Sequence, residues 1–113
     1  MFLEDKIQSS IFIWYHNTYC LRTHSPRCLI FAIPNGGHRT GAEILKLKAT
    51  GLRAGVSDLM INHFGRWVCV EVKTDIGVQS KEQKEFQEIV ENLGTKYFLV
   101  RSLEDFKQKV TEF

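Results

Sequence analysis

"GVSDLMINHFGRWVCVEVK", residues 55–73, reads as two β-strands over 58–63 and 66–74 joined by a tight Phe64-Gly65 turn, yet it carries charges where a strand should be most apolar. With a two-residue loop, His63 pairs with Arg66, and counting outward sets Asp58 directly opposite Glu71 on the antiparallel neighbour. Opposed Cβ atoms lie about 4.5–5.5 Å apart, where two like charges repel by roughly 3 kcal/mol at an effective dielectric near 20. A divalent cation turns that repulsion into attraction, because hard ions such as Mg²⁺ prefer carboxylate and phosphate oxygens. Period-two alternation puts Glu71 and Lys73 on one face of the strand. An ammonium there can position a water or stabilise charge developing on a scissile phosphate.

Working outward, Ile7, Ile11, Trp14 and Tyr15 repeat at helical spacing, so an amphipathic helix is expected over 3–16. Extended backward, that stripe reaches Glu4, with Gln8 one turn on. "CLIFAIP", residues 28–34, closes on Pro34-Asn35-Gly36-Gly37 and predicts a buried strand. Thr40-Gly41-Ala42-Glu43 has capping-box spacing, and Leu45, Ala49 and Leu52 extend a helix over 40–50 that ends at Gly51. Its other face collects Arg39, Lys46 and, just beyond, Arg53. Ser80-Lys81-Glu82-Gln83 repeats the capping-box spacing ahead of Phe86, Ile89, Val90 and Leu93. "KYFLVR", 96–101, is a strand, and Leu103, Phe106 and Val110 mark a terminal helix. The order αβαββαβα describes a mixed α/β domain with helices packed on a small sheet, without repeats or low-complexity segments.

Length and composition bound the rest. A chain of 113 residues fits one domain, and 43% hydrophobic residues with eight Phe supply a core. Fifteen basic against 13 acidic residues leave a net charge of +2, so no global field announces a nucleic-acid partner. Three cysteines without a C-x-x-C pair fit a reducing compartment and predict a cytoplasmic protein. No apolar run reaches the length of a membrane span or of a leader's core, so neither export nor anchoring is expected. His16, Cys20, His24 and Cys28, spaced by four, invite zinc, but Pro26 interrupts any single helix through them and the spacing matches no zinc ribbon or finger. His38 and His63 adjoin turns and need no special role.

The pair G-V-S-D-L (55–59) and E-V-K (71–73) resembles the signature of the PD-(D/E)xK nuclease superfamily, an Asp on one strand and (D/E)-x-K on the next. Adding Glu4 and Gln8, Pro34-Asn35, Gly77, Ser80 and Gln83, nearly the whole chain resembles a stand-alone VRR-NUC (virus-type replication-repair nuclease) domain, the family that also supplies the nuclease domain of the Fanconi-associated nuclease. One departure is Ser57, where the family usually has proline; that proline shapes a turn, so its loss should be tolerated.

The resemblance implies a restriction-endonuclease-like sheet flanked by helices and an Mg²⁺- or Mn²⁺-dependent endonuclease with no nucleotide cofactor. Asp58, Glu71 and the Val72 carbonyl would hold the metal, Glu4 would support it from the first helix, Lys73 would assist the attacking water, and Gln83 would sit nearby. It further implies branched DNA, such as Holliday junctions or flaps in replication and repair, a homodimer suited to a two-fold junction, and a bacterial or phage setting. Plainer readings stand beside these. Gln83 is explained by the helix cap alone. Glu4 can serve the helix dipole. Arg39, Lys46 and Arg53 can be a solvated face rather than phosphate contacts. A silent DNA-binding module and a sequence-specific restriction-type endonuclease are the alternative functions.

Overall fold

The Phe64-Gly65 turn is where the hairpin is set. The computed structural model, which describes residues 3–21, 27–34 and 40–113, places both turn residues at positive φ, 54° and 93°. That is the backbone of a turn whose twist matches the flanking strands. Phe64 tolerates it because its N–H donates to the Arg27 carbonyl at 3.1 Å and the Gly65 N–H donates to Asn62 Oδ1 at 2.8 Å. Strand β2 (Leu59–His63) then pairs with β3 (Arg66–Val72) in the expected register, His63 against Arg66 and Leu59 against Val70.

Among the described residues, four strands make one mixed sheet in the order β1-β2-β3-β4. β1 (Cys28–Ala32) is antiparallel to β2, and β4 (Lys96–Val100) is parallel to β3, with Cys69 against Tyr97 and Glu71 against Leu99. A parallel neighbour needs a crossover, and α3 (Lys81–Asn92) provides it. The strands are shorter than expected: β1 ends at Ala32 rather than Pro34 and β3 at Val72 rather than residue 74.

β3 is central, buried from Val68 to Val72. One of its faces, Val68, Val70 and Val72, joins Leu59, Ile61, Phe98 and Val100 in the core beneath Ile11 and Tyr15 of α1 (Leu3–Tyr15) and Phe106 and Val110 of α4 (Leu103–Thr111). The other face, carrying Cys69 and Glu71, lies beneath α3, where Phe86 meets Tyr97 at 6.4 Å between ring centroids. The expected element order therefore holds.

Two elements depart from expectation. α1 does not stop at residue 16 but continues as a π-helical turn, His16–Cys20, with the Leu21 N–H bonded to the His16 carbonyl at 3.2 Å. The widened turn lets Tyr19 pack edge-on against His63 at 4.9 Å and beside Tyr15 at 5.0 Å, so aromatic packing sets the helix end. The second departure is α2 (Gly41–Ala49), which begins at its Thr40–Glu43 capping box but buries no residue and packs on no other described element. Leu45, on the apolar side of the expected helix, is exposed; the contacts that define α2 are local, the Thr40–Glu43 capping box at its start and the Thr50 N–H on the last carbonyls. Among the described residues no helix is long and apolar enough to cross a membrane.

Candidate functional site

The bend before β2 delivers Asp58 to Glu71. The Ile33 N–H donates to the Asp58 carbonyl at 2.9 Å, extending the β1 ladder to this residue, and the Val72 N–H donates to Asp58 Oδ2 at 2.7 Å. Ser57, just before it, is fully buried and donates its hydroxyl to the Leu59 carbonyl at 3.1 Å. A side-chain hydrogen bond thus restrains the turn without a proline. Gly55 brings the same segment against α3: at φ +84°, a Cβ there would stand 2.3 Å from the Glu82 carbonyl oxygen.

Glu71 is fully buried. Burial, followed by its hydrogen bond with Asp58 and the Asp58 charge, pushes its pKa up to about 9, against an opposing pull from Lys73. At neutral pH Glu71 therefore holds a proton in the absence of a compensating cation, donating it toward Asp58. Lys73, its side chain only 11% exposed, places Nζ 3.9 Å from Glu71 Oε2. Glu4 reaches the group from α1: its pKa is raised, mainly by burial, with Lys73 pulling it down and Asp58 pushing it up. Four ionisable side chains, from α1, from the bend and from the end of β3 with the residue just after it, thus share one field.

Gln83 does two things at once. Its Oε1 accepts the Ser80 N–H at 2.8 Å and its own N–H donates to Ser80 Oγ at 3.1 Å, completing the capping box, while its Nε2 donates to Glu71 Oε2 at 3.0 Å. Cap and site contact coexist because the glutamine amide carries an acceptor and a donor at its end. Tyr97, which the sequence reading did not single out, lays its hydroxyl 3.5 Å from Glu71 Oε1 and accepts from Gln79 Nε2 at 3.3 Å. Burial and the Glu71 charge raise its pKa. Only the parallel register of β3 and β4 brings Tyr97 there, and no local motif announces it.

The donor set suits a hard cation. Two carboxylates face one another in a buried spot, and their excess negative charge is relieved either by a proton or by a divalent ion. Among the described residues no three carboxylate, imidazole or thiol groups converge tightly enough to form a metal cage unaided, so further oxygens would come from backbone, water or substrate, as Mg²⁺ commonly requires. Lys46 and Arg53 are exposed, on α2 and on the connection leading to β2, and neither forms an ion pair among the described residues. Arg39 and Asn35 lie outside the described residues, as do His24, Pro26 and His38. Cys28 Sγ lies 3.8 Å from His63 Nδ1, which also meets the Tyr15 hydroxyl at 2.9 Å; His63 is a core histidine satisfied by its neighbours.

No protein-family model and no curated protein matches the chain. A solved structure described as a VRR_NUC domain protein is similar to it with a TM-score of 0.75, covering 100% of this chain and 88% of that one at 21% identity. The chain thus has the fold of a VRR_NUC domain protein.

Proposed function

We propose that this chain, folded as a VRR_NUC domain protein is, acts as one Mg²⁺- or Mn²⁺-dependent endodeoxyribonuclease domain that hydrolyses phosphodiester bonds in branched DNA. The observation that carries the reading is the fully buried Glu71 pressed against Asp58 and raised to about 9. Asp58 and Glu71, with the Val72 carbonyl, would hold the ion, and Glu4 would add charge from α1. The ion would supply water activation and charge neutralisation at the attacked phosphate.

The chain's own residues do the rest. The Val72 N–H fixes the Asp58 carboxylate, leaving its second oxygen for the ion. Gln83 orients Glu71 through Oε2, as partners of ligating carboxylates do. Lys73, held against Glu71, orients the attacking water and offers positive charge to the phosphate. Lys46, Arg53 and Arg39 would contact phosphates farther along the strand, an electrostatic role that does not require packing against the acids. A homodimer would present two sites to a two-fold junction.

The test is incubation of the purified protein with end-labelled four-way junction, flap and linear duplex DNA under Mg²⁺, Mn²⁺ or EDTA, beside Glu71→Ala. Metal-dependent cutting, lost in the variant and strongest on branched DNA, is expected. Binding without cutting under every metal would move the reading to a silent DNA-binding module, and cutting of linear duplex at one sequence would move it to a restriction-type enzyme.

A further inference from the structure

Between Lys73 and Ser80 the chain runs T-D-I-G-V-Q, and two of its side chains are far out in water: Ile76 is 92% exposed and Val78 78%. Exposed aliphatic side chains on a loose loop would fold back onto the surface. This loop is prevented from doing so. The Gly77 N–H closes a turn onto the Thr74 carbonyl at 3.1 Å, with Asp75 and Ile76 at the turn's centre. From the residue just after β4, the Arg101 guanidinium donates through one nitrogen to the carbonyls of Thr74 at 2.6 Å, Gly77 at 2.7 Å and, more weakly, Asp75 at 3.3 Å. Gly77 also lies against the site lysine: a Cβ there would meet Thr74 Oγ1 at 3.2 Å and Lys73 Cδ at 3.5 Å.

We propose that this loop is a rigid apolar wedge that inserts Ile76, with Val78 behind it, between DNA bases next to the cleaved phosphate, and that Arg101 is the positioning residue that holds it out. The inference rests on the nuclease reading for its placement of DNA at Asp58 and Glu71, and adds the means of choosing a substrate. The occupant follows from position and charge. The loop leaves the site at Lys73 and re-enters α3 at Lys81, so a cation stands at each foot, where phosphates flanking an opened base step would run. Aliphatic side chains pushed between base steps unstack and kink the duplex. That unstacking is cheapest where pairing or stacking is already broken, so the wedge favours branch points over continuous duplex. Asp75, beside Ile76 in the turn, repels phosphate and leaves entry to the apolar tip.

Wild type, Ile76→Ser, Val78→Ser and Arg101→Lys are compared on four-way junctions and continuous duplexes carrying 2-aminopurine at the branch. Fluorescence is read with Ca²⁺ present and cleavage kinetics with Mg²⁺. Wild type should raise the fluorescence on binding the junction, and Ile76→Ser should abolish the rise and increase KM about ten-fold at unchanged kcat, the loss of one buried aliphatic side chain. Arg101→Lys should reproduce the KM effect while Tyr15→Phe, far from the loop, leaves it unmoved; a merely structural Arg101 would lower the melting temperature without that KM change. Failure of wild type to cut any DNA would count against the nuclease reading, whereas the fluorescence rise and its dependence on Ile76 would still support the wedge. No rise with wild type, or an unaltered rise and KM in Ile76→Ser, would overturn the wedge. So would a fall in sedimentation mass in Ile76→Ser with unaltered fluorescence, which would make the pair a contact between protein copies.

Discussion

Gln83 ties the first turn of α3 to the buried acid of β3: one end of its amide accepts the Ser80 N–H at 2.8 Å and the other donates to Glu71 Oε2 at 3.0 Å. The helix cap and the candidate metal ligand are therefore set by the same side chain. The two functions separate by substitution. Gln83→Glu keeps a residue suited to the capping box but replaces the donor with a further carboxylate beside Glu71, whereas Gln83→Ala loses both contacts. Isothermal titration should show Mn²⁺ affinity about 10–100-fold weaker in Gln83→Ala, and thermal melting should show Gln83→Ala losing about 1 kcal/mol from the cap. Unchanged Mn²⁺ affinity in Gln83→Ala would reduce the residue to a cap.

Glu71 makes stability depend on pH in a definite direction. Its folded pKa, about 9, lies above the ordinary 4.5, so the folded protein holds a proton that the unfolded chain releases. The associated stability is complete below about pH 4.5 and is lost as pH rises toward 9. With EDTA present, the melting temperature should fall across that window, and Glu71→Gln, which cannot ionise, should flatten the fall. A parallel decline in both proteins would refute the assignment.

Divalent ions should reverse that trend. Binding to the ionised pair displaces the Glu71 proton, so apparent affinity should rise with pH. Adding Mn²⁺ should raise the melting temperature more at pH 8 than at pH 5.5, and Asp58→Asn should remove most of the difference. Equal shifts at both pH values would mean that the ion binds elsewhere.

Gly55 is where the Asp58 segment touches α3. Gly55→Ala combines a left-handed φ with a Cβ 2.3 Å from the Glu82 carbonyl oxygen, which should destabilise the fold by about 2–4 kcal/mol. Urea denaturation measures this. Gly51→Ala, also at positive φ but with nothing within 4 Å of the new Cβ, should lose only the conformational part, about 1–2 kcal/mol.

Tyr15 and His63 test the opposite end of the sheet. Tyr15→Phe leaves His63 Nδ1 without its 2.9 Å partner and should reduce stability by about 1–3 kcal/mol. The cleavage rate should be unaltered, because β3 carries Glu71 about 16 Å from Arg66, the residue paired with His63. Burial, then Arg66, holds the His63 imidazole below its ordinary pKa of 6.5. Its contribution is therefore present above about pH 6.5 and lost as pH falls through the lowered value, so acid should destabilise wild type more than His63→Phe.

What was legible in the sequence was local. Phe64-Gly65 specified a two-residue turn, and the period of two carried that register out to Asp58 opposite Glu71, because hairpin pairing depends only on the turn and on counting. Thr40 and Ser80 announced helix starts because each cap lies within four residues. The tertiary structure alone decided what meets across long separations. The parallel pairing of β4 put Tyr97 beside Glu71, the packing of α3 aimed Gln83 at that carboxyl while it capped its own helix, and the end of β4 sent Arg101 to the loop after Lys73. The same limit applies to α2, whose Leu45 helped to mark the helix in the sequence but lies exposed in the fold. Periodicity states which residues share a face; the free energy of packing one element on another determines what that face meets.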